Sequence, residues 1–339
     1  MNRTQPPFLK LATAVVLGVV TFASSASAQI SPRNDWNFQD SDLVGSIHTV
    51  SVSPNGNFVA YGAEFSRYIK IRAISDGRLI TTLSGSANMG MAATQFAPNG
   101  TSIGATWSIQ GWTFAIFGGS ETFGPGSTAP NLTTNDHDDL VTGLAWSPDS
   151  QKILTSSMEG KADLVDAATG ALLLEVDHGS PIRSIAYSHD GLHFATGGFD
   201  GSIQVWDATT GLLVRNIGAH LAEISALVFH PDNLHIVSGG GDALQDNSIQ
   251  VFNYTTGAFI TTHTNHAEAI TGLQFVNNNT MLLSSDYSGT MRVSEALGPN
   301  EITTLDLGTG IKVAAFEMIE GARSFVYGTG DGWIYRASF

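Results

Sequence analysis

The sequence contains no cysteine and few charged residues, and both shortages narrow the class of protein. Without cysteine, the 339-residue chain has no disulfide framework, no thiolate nucleophile and no thiol for lipid attachment. Charged residues make up only 13 % of the chain and hydrophobic residues 42 %, which favours a folded protein over a disordered one. Because 15 Lys and Arg face 30 Asp and Glu, the net charge of −15 would repel a phosphate backbone. We therefore expect no binding to nucleic acid.

The only long apolar stretch lies at the start of the chain. Arg3 and Lys10 come before an apolar run from Leu11 to Phe22, and Ala26-Ser27-Ala28 offers the small residues that a signal peptidase accepts. This pattern predicts a secretory signal peptide over residues 1–28, cleaved after Ala28. The run is too short to cross about 30 Å of hydrocarbon as a lasting helix, and an uncleaved anchor is the alternative interpretation.

The predicted signal peptide implies a place outside the cytoplasm. We expect the mature protein to be secreted or periplasmic, and the sequence leaves these two compartments open. No later stretch approaches 18 apolar residues, so we expect no membrane span in the mature chain. Since the first segment holds two basic residues and no acidic one, its removal would change the net charge to −17.

Seven turn signals rich in Pro, Asn, Asp and Gly recur at intervals of 41 to 50 residues. This spacing is typical of the four-stranded blades of a β-propeller. Each turn is preceded by a segment of six residues whose first and last residues are apolar or aromatic. A segment of six residues is too short for a stable helix. These segments are predicted to form the first strand of each unit, over residues 47–52, 91–96, 141–146, 182–187, 224–229, 270–275 and 311–316.

Each unit continues as strand and turn without a helical period, as in residues 194–217. The predicted fold is all-β, a seven-bladed β-propeller of four-stranded antiparallel blades. Its units cover approximately residues 43–86, 87–132, 133–174, 175–216, 217–262, 263–305 and 306–339. The last unit holds enough residues for three strands, and an open edge would invite aggregation. We therefore expect residues 33–40 to add the closing strand and join the two ends of the chain.

The segment from His178 to Asp207 resembles a WD repeat, and the resemblance extends over about residues 45–339. In WD-repeat propellers, a histidine before the first strand bonds a Ser or Thr on the second strand, an acid in the next turn and a Trp on the third. The resemblance implies such a network in four units. Its residues are His178, Thr196, Asp200 and Trp206; His220, Ser238 and Asp246; His137, Thr155 and Glu159; and His266 with Ser284.

Some positions depart from the WD pattern. Val165 and Phe252 stand in the place of Trp206 in two units, and Ser288 and Ser294 occupy the acid and Trp places of the sixth. Units one, two and seven lack the histidine. Because a buried imidazole needs partners for both ring nitrogens, we interpret the four histidines as structural.

The predicted first strands, which would line the central channel, contain no Asp or Glu. Their ionisable groups are His48, Arg183, Lys312 and the phenol of Tyr187. General acid–base catalysis needs a carboxylate or histidine positioned by a neighbouring group, and a hydrolytic metal site needs several ligands. The predicted first strands meet neither requirement. We expect no catalytic residue, no bound metal and no cofactor.

Two loops contain residues that could bind a cation. The run from Asp136 to Asp139 resembles a ligand cluster, and Asp242, Asp246 and Asn247 in the loop 239–247 could hold calcium. The first is more typical of acids that face water, and the second fits no known calcium motif. Both alternatives stay open at this stage.

The resemblance implies a platform for protein–protein contact. We expect its contact surface on the face where the turns before the first strands meet the turns between second and third strands, and a basic partner would suit it. The acidic residues of this face are Asp136, Asp138, Asp139, Asp177, Glu223, Asp242 and Glu268. The alternatives are plain solubility for these acids and, for the protein, an extracytoplasmic propeller enzyme (lactonase-like or another hydrolase) or a component of envelope assembly.

Overall fold

A computed structural model of the chain describes residues 28–338 apart from 31, 44, 64–65, 67, 85–89, 109–112, 119–131, 135–136, 242–245, 277, 306, 308–312 and 320–323. The secondary structure of these described residues consists of 29 β-strands arranged in seven sheets. Six sheets have four strands and one has five. Almost the whole of the predicted signal peptide lies outside the described residues.

After two initial strands, the chain forms its sheets one after another, with four consecutive strands in each of the first six and three in the seventh. The two initial strands are β1 (Ala28–Ile30) and β2 (Arg33–Gln39). Sheet 1 has β3 (Ile47–Val52), β4 (Phe58–Ala63), β5 (Tyr68–Ala73) and β6 (Leu79–Ser84). Sheet 2 has β7 (Gly90–Phe96), β8 (Ser102–Ser108), β9 (Thr113–Gly118) and β10 (Leu132–Thr134). Sheet 3 has β11 (Val141–Trp146), β12 (Lys152–Ser157), β13 (Lys161–Asp166) and β14 (Leu172–Asp177).

The remaining four sheets continue this order. Sheet 4 has β15 (Ile182–Tyr187), β16 (His193–Gly198), β17 (Ser202–Asp207) and β18 (Leu213–Gly218). Sheet 5 has β19 (Ile224–Phe229), β20 (His235–Gly240), β21 (Ile249–Asn253) and β22 (Ala258–His263). Sheet 6 has β23 (Ile270–Val276), β24 (Met281–Asp286), β25 (Met291–Glu295) and β26 (Glu301–Leu305), with β1 on its edge. Sheet 7 has β27 (Val313–Met318), β28 (Ser324–Thr329) and β29 (Trp333–Ser338), with β2 on its edge.

The sheets pack face to face, and burial is greatest in the second and third strands of each sheet and least in the outer strands. Each second strand buries five or all six of its residues where burial is described throughout, as β16 and β20 do, whereas most residues of the outer strands β14 and β18 are exposed or half-buried. Apolar side chains of one sheet meet those of the next, for example those of β17 and β19 in one shared core cluster. The core therefore lies between sheets, because a single four-stranded sheet cannot bury its own apolar faces.

The first strands of neighbouring sheets pack against one another. Each contacts the first strand of the next sheet, and β27 contacts β3. Every one of them carries a β-bulge near its start, at the third residue of β7 and at the second residue of the others, as in the register shifts between Ile47 and Thr49 in β3 and between Ile182 and Ser184 in β15. A bulge adds twist and bends the strand, and its repetition gives all seven first strands the same local geometry.

The two ends of the chain meet in sheet 7. Strand β2 pairs antiparallel with β29, from Arg33 opposite Ser338 to Gln39 opposite Trp333. From β2 the indole Nε1 of Trp36 donates a hydrogen bond of 2.9 Å to the carbonyl of Ile74 in sheet 1. The first segment of the folded chain thus contacts both the last sheet and the first.

Two sequence-based expectations about strands are wrong. The seventh first strand is described over Val313–Met318 and extends two residues beyond its predicted end, whereas residues 311–312 of the prediction lie outside the described residues. Val313 pairs with Thr329 as Ile47 pairs with Ala63, so the predicted register was two residues too early. Glu317 therefore lies in this strand, and the expectation that the first strands hold no carboxylate is wrong. Strand β1, which pairs parallel with β26, was not predicted at all. Among the described residues, no helix has the length and apolarity needed to cross a membrane.

Candidate functional site

Four histidines sit in turns before first strands and bond across their own sheets. In sheet 4, Nδ1 of His178 lies 2.6 Å from Oγ1 of Thr196, and Nε2 lies 3.3 Å from a carboxylate oxygen of Asp200. The indole Nε1 of Trp206 donates to the same Thr196 hydroxyl at 3.0 Å. The structure therefore brings together all four residues that the WD resemblance implies for this unit.

The other three networks use the opposite ring nitrogens. Nε2 of His137, His220 and His266 faces the hydroxyl of Thr155, Ser238 and Ser284 at 2.9, 2.8 and 2.7 Å. Nδ1 of His137 and of His220 lies 3.1 Å from a carboxylate oxygen of Glu159 and of Asp246. All four histidines stand 18 residues before their hydroxyl partner, so this part of each network is fixed by local spacing.

The sixth unit corrects the sequence-based assignment. Asp286, at the end of β24, accepts from Nδ1 of His266 at 3.0 Å. Ser288, which stood in the acid place of the pattern, instead donates to Asp286 through its hydroxyl at 2.6 Å. The acid of this network is therefore two residues earlier in the chain than the WD pattern placed it. Asp286 is the last residue of β24, and Ser288 in the following turn bonds back to it.

Burial sets the protonation of these networks. It lowers the pKa of His178 and of His220, against the opposing pull of their carboxylate partners, so both imidazoles are neutral in the folded protein. Burial also works to raise the pKa of Asp200, Asp246 and Asp286, but hydrogen bonds from the neighbouring hydroxyls, imidazoles and amides outweigh it, and the pKa of each lies below its usual value. In the His178–Asp200 and His220–Asp246 pairs, a neutral imidazole is held by a charged carboxylate.

This protonation predicts a pH-dependent cost for His220→Gln. The lowered pKa of His220 means that protonation near and below pH 6.5 favours the unfolded chain, so the stability contributed by the histidine is present above that value and lost as pH falls. We expect the substitution to cost about 2 kcal/mol at about pH 7.5 and less at about pH 5.5. Denaturant titrations of both proteins measure this, and a cost that grows on acidification would contradict it.

Sheet 1 lacks the histidine and uses an ionic cluster that sequence reasoning missed. Nη2 of Arg72 donates to Asp40 at 2.7 Å and Nε donates to the phenol oxygen of Tyr61 at 2.6 Å, while the phenol donates to Asp40. Both members of the Arg72–Asp40 pair are largely buried. Arg72 lies opposite Val59 as Trp206 lies opposite Phe194. The arginine in the Trp place was the available signal, but its partner comes from the segment after β2.

Backbone hydrogen bonds hold the predicted contact face together. The amides of Met158, Phe199, Gly241 and Tyr287, in turns between second and third strands, donate to the carbonyls of Leu140, Pro181, Glu223 and Ala269, which come just before first strands. Their lengths are 2.7–3.1 Å. The two sets of turns therefore emerge side by side within each of sheets 3 to 6. Bonds from the His178 amide to Gly160, from the His220 amide to Gly201 and from the Asn247 side chain to Ala267 join these turns from one sheet to the next.

The predicted acidic residues occupy this face unequally. Asp138, Asp177 and Glu268 are exposed, and Asp139 and Glu223 are half-buried. Asp177 accepts from the Gly179 amide and Asp139 from the Leu140 amide, so these two also shape their turns. Asp136 and Asp242 lie outside the described residues.

Four large apolar side chains stand exposed among these acids, and the sequence analysis overlooked them. Leu140, Phe199, Leu221 and Tyr287 are 39, 37, 79 and 44 % exposed. Phe199 and Tyr287 occupy the same place, directly after the second strand of their sheets, and Met158 follows there in sheet 3. That recurrence could have been found in the sequence. We call these four apolar residues, with Asp138, Asp139, Asp177, Glu223 and Glu268, the acidic face.

The other sequence candidates have structural surroundings. Asp246 accepts from His220, from the Leu221 amide and from the Ser248 hydroxyl, and Asn247 donates to the carbonyl of Ala267. Asp242, the third residue of the predicted calcium site, lies outside the described residues. Of the ionisable residues in the predicted first strands, His48 and Arg183 are exposed, and Lys312 lies outside the described residues. Burial raises the pKa of the Tyr187 phenol.

Comparison with known proteins agrees with this architecture. The family model of the WD domain, G-beta repeat, matches residues 129–164, 171–207, 211–253 and 257–293. A chain in the crystal structure of a mitotic checkpoint complex is similar in fold, with a TM-score of 0.79 and 17 % sequence identity over 100 % of this chain and 99 % of that chain. No curated protein sequence matches the chain significantly. The protein is a β-propeller of four-stranded antiparallel blades that carries WD40 repeats.

Proposed function

We propose that the protein is a non-catalytic, extracytoplasmic scaffold that binds a protein partner through the acidic face. A WD40 propeller is typical of interaction scaffolds. The observation that carries the proposal is the placement of exposed Leu140, Phe199, Leu221 and Tyr287 next to carboxylates on turns that are held together by backbone hydrogen bonds.

This combination suits a partner with basic residues around an apolar anchor. Large apolar side chains exposed together on a rigid surface are the usual centre of an interface, and polar residues form its rim. The carboxylates would steer a positively charged segment to the face and fix its orientation. Salt screens charges of this kind over about 8 Å at physiological ionic strength, so binding should weaken as salt rises.

We further infer that the seven sheets are the blades of one closed ring. Support comes from the contact of β27 with β3 and from the pairing of β2 with β29. The extracytoplasmic location rests on the predicted signal peptide over residues 1–28, and detection of a mature protein that begins at Gln29 in the medium or the periplasm would test it.

The test of the interaction face uses two leucines with similar exposure. Leu221, 79 % exposed, belongs to the acidic face, and Leu212, 68 % exposed, lies at the turn between β17 and β18, which the antiparallel order places at the opposite face. We expect Leu221→Ser to weaken partner capture about tenfold and Leu212→Ser to leave it unchanged. Crosslinked capture from extracts of the native host, compared among the three proteins, measures this.

Charge reversal provides the second arm of the same test. The double variant Asp138→Lys/Glu268→Lys should abolish capture of the partner whose capture Leu221→Ser weakens. The control is the double variant Asp76→Lys/Asp190→Lys, which changes two exposed acids in turns at the opposite face and should retain capture. Melting temperatures of all variants verify that the fold persists. Capture that is equally strong with the reversed acidic face would remove this surface from the proposal.

A further inference from the structure

We propose that His230, Asp232 and His235 bind a divalent transition-metal ion of the zinc type. One potential ligand atom from each residue lies within 4.8 Å of the other two. The carboxylate oxygen Oδ2 of Asp232 is 3.1 Å from Nδ1 of His230 and 2.7 Å from Nδ1 of His235. The three residues belong to the turn between β19 and β20 and to the first residue of β20, so this site is at the face opposite the acidic face.

The side chains are positioned before any ion binds. Nε2 of His230 donates to the carbonyl of Asn279 at 3.0 Å, and the amide of Asp232 donates to Nδ1 of the same ring at 3.2 Å. This assigns the tautomer in which Nε2 carries the proton and Nδ1 holds the lone pair, so a metal ion at Nδ1 would replace the bond from the Asp232 amide. The ring also packs edge-to-face against Phe275, with centroids 4.7 Å apart. His230 is thus oriented by two residues of the neighbouring sheet.

Asp232 divides its two oxygens between the turn and the histidines. Oδ1 accepts from the amides of Leu234 at 2.8 Å and His235 at 3.1 Å, and Oδ2 accepts from Nδ1 of His235 at 2.7 Å. A metal ion between these two atoms would replace the proton on Nδ1 of His235. The side chains of the three residues are only 12, 29 and 16 % exposed.

The ligand set selects the class of metal. Two imidazole nitrogens and one carboxylate suit zinc and its neighbours, whereas calcium and magnesium prefer oxygen ligands throughout. Three protein ligands leave at least one coordination position open. His230 and Asp232 also line a cleft of about 780 Å³, whose other wall includes Asn279, Glu295 and Leu297. Water or a ligand that enters this cleft can reach the open position.

Titration of the untagged full-length mature protein with Zn²⁺ tests the proposal. We expect one ion per chain by isothermal titration calorimetry, and an absorption spectrum of tetrahedral Co²⁺ when cobalt replaces zinc. His235→Gln and Asp232→Asn should each lower the affinity at least about tenfold, since each removes one ligand. Asn at position 232 keeps an acceptor for the turn, and Ca²⁺ and Mg²⁺ should not compete.

His48→Gln is the matched control, because His48 is an exposed histidine on β3, remote from this turn in the chain. It should leave zinc affinity unchanged. Melting temperatures without metal verify that each variant folds, which matters most for His230→Gln, where the bond to Asn279 is also lost. Absence of stoichiometric zinc binding, or binding that His235→Gln and Asp232→Asn do not weaken, would overturn the proposal.

Discussion

Deletion of residues 29–42 should lower the melting temperature by more than about 10 °C. The deletion removes β2, which pairs with β29 along six residue pairs, and leaves β29 as an open edge. It also removes Trp36 and Phe38, which pack against the core cluster shared by sheets 1 and 7. A loss of about 5 kcal/mol or more is expected from two aromatic side chains and an exposed edge.

The same deletion would leave a buried charge without its partner. Asp40 pairs with Arg72, whose guanidinium also lies 4.0 Å over the ring of Phe38. Asp42 pairs with the largely buried Lys70 at 2.6 Å. Removing one member of a buried pair is strongly destabilising, by about 3–5 kcal/mol, because the remaining charge stays in a poorly solvated site.

The deletion also removes Gln29 and Ile30 of β1. Point variants leave β1 intact and separate the contributions of individual residues. Trp36→Ala and Asp40→Asn should each lower the melting temperature, whereas Arg33→Ala, on the same strand but with its side chain 84 % exposed, should have little effect. Calorimetric scans of the four proteins give the comparison. A deletion variant that melts like the parent would refute the role of β2 in closing the structure.

Glu317→Gln is expected to stabilise the protein by about 3 kcal/mol at pH 7. The carboxylate of Glu317 accepts from the Val52 amide at 2.7 Å, which links sheet 7 to sheet 1. Gln95 and Gln274 make the same bond from their sheets, accepting from the amides of Trp146 and Met318 at 3.1 and 2.8 Å. Glutamine therefore satisfies this position without a charge.

The pH dependence follows from the direction of the shift. Burial raises the pKa of Glu317 to about 8 from the usual 4.5, against the opposing bonds from Val52 and Ser51. Below pH 4.5 the group is protonated in both the folded and the unfolded chain and costs nothing. As pH rises from 4.5 to 8, the unfolded chain loses this proton first, so stability falls. Each unit of pH in this window corresponds to about 1.4 kcal/mol.

The advantage of Glu317→Gln should therefore be small near pH 4.5 and grow toward pH 8. Gln274→Glu is the matched reverse variant, since it places a carboxylate in the corresponding site between sheets 6 and 7, and it should destabilise the protein increasingly over the same range. Denaturant midpoints of the three proteins across pH measure both effects. A constant difference between Glu317→Gln and the parent would show that the carboxyl titrates normally.

The predictability of the histidine networks depended on how far apart in the chain the partners are. His178, Thr196 and Asp200 lie within one strand–turn–strand unit, and its resemblance to a WD repeat predicted the contacts that the structure has. Asp286 was missed because it is the last residue of β24, 20 residues after His266, whereas Asp200 lies in the turn after β16, 22 residues after His178. Arg72 and Asp40 were missed because they are joined only when β2 packs beside sheet 1.

The sequence by itself determined the β-strand pattern, the recurring unit and the four histidine turns, because strand periodicity and short turns are local properties of the chain. Only the tertiary structure decided which side chains meet between sheets. The bond of Glu317 to the Val52 amide and the orientation of His230 by Asn279 and Phe275 both depend on how one sheet packs on the next. That packing is set by the sum of many apolar contacts over the whole chain, which no single repeat contains.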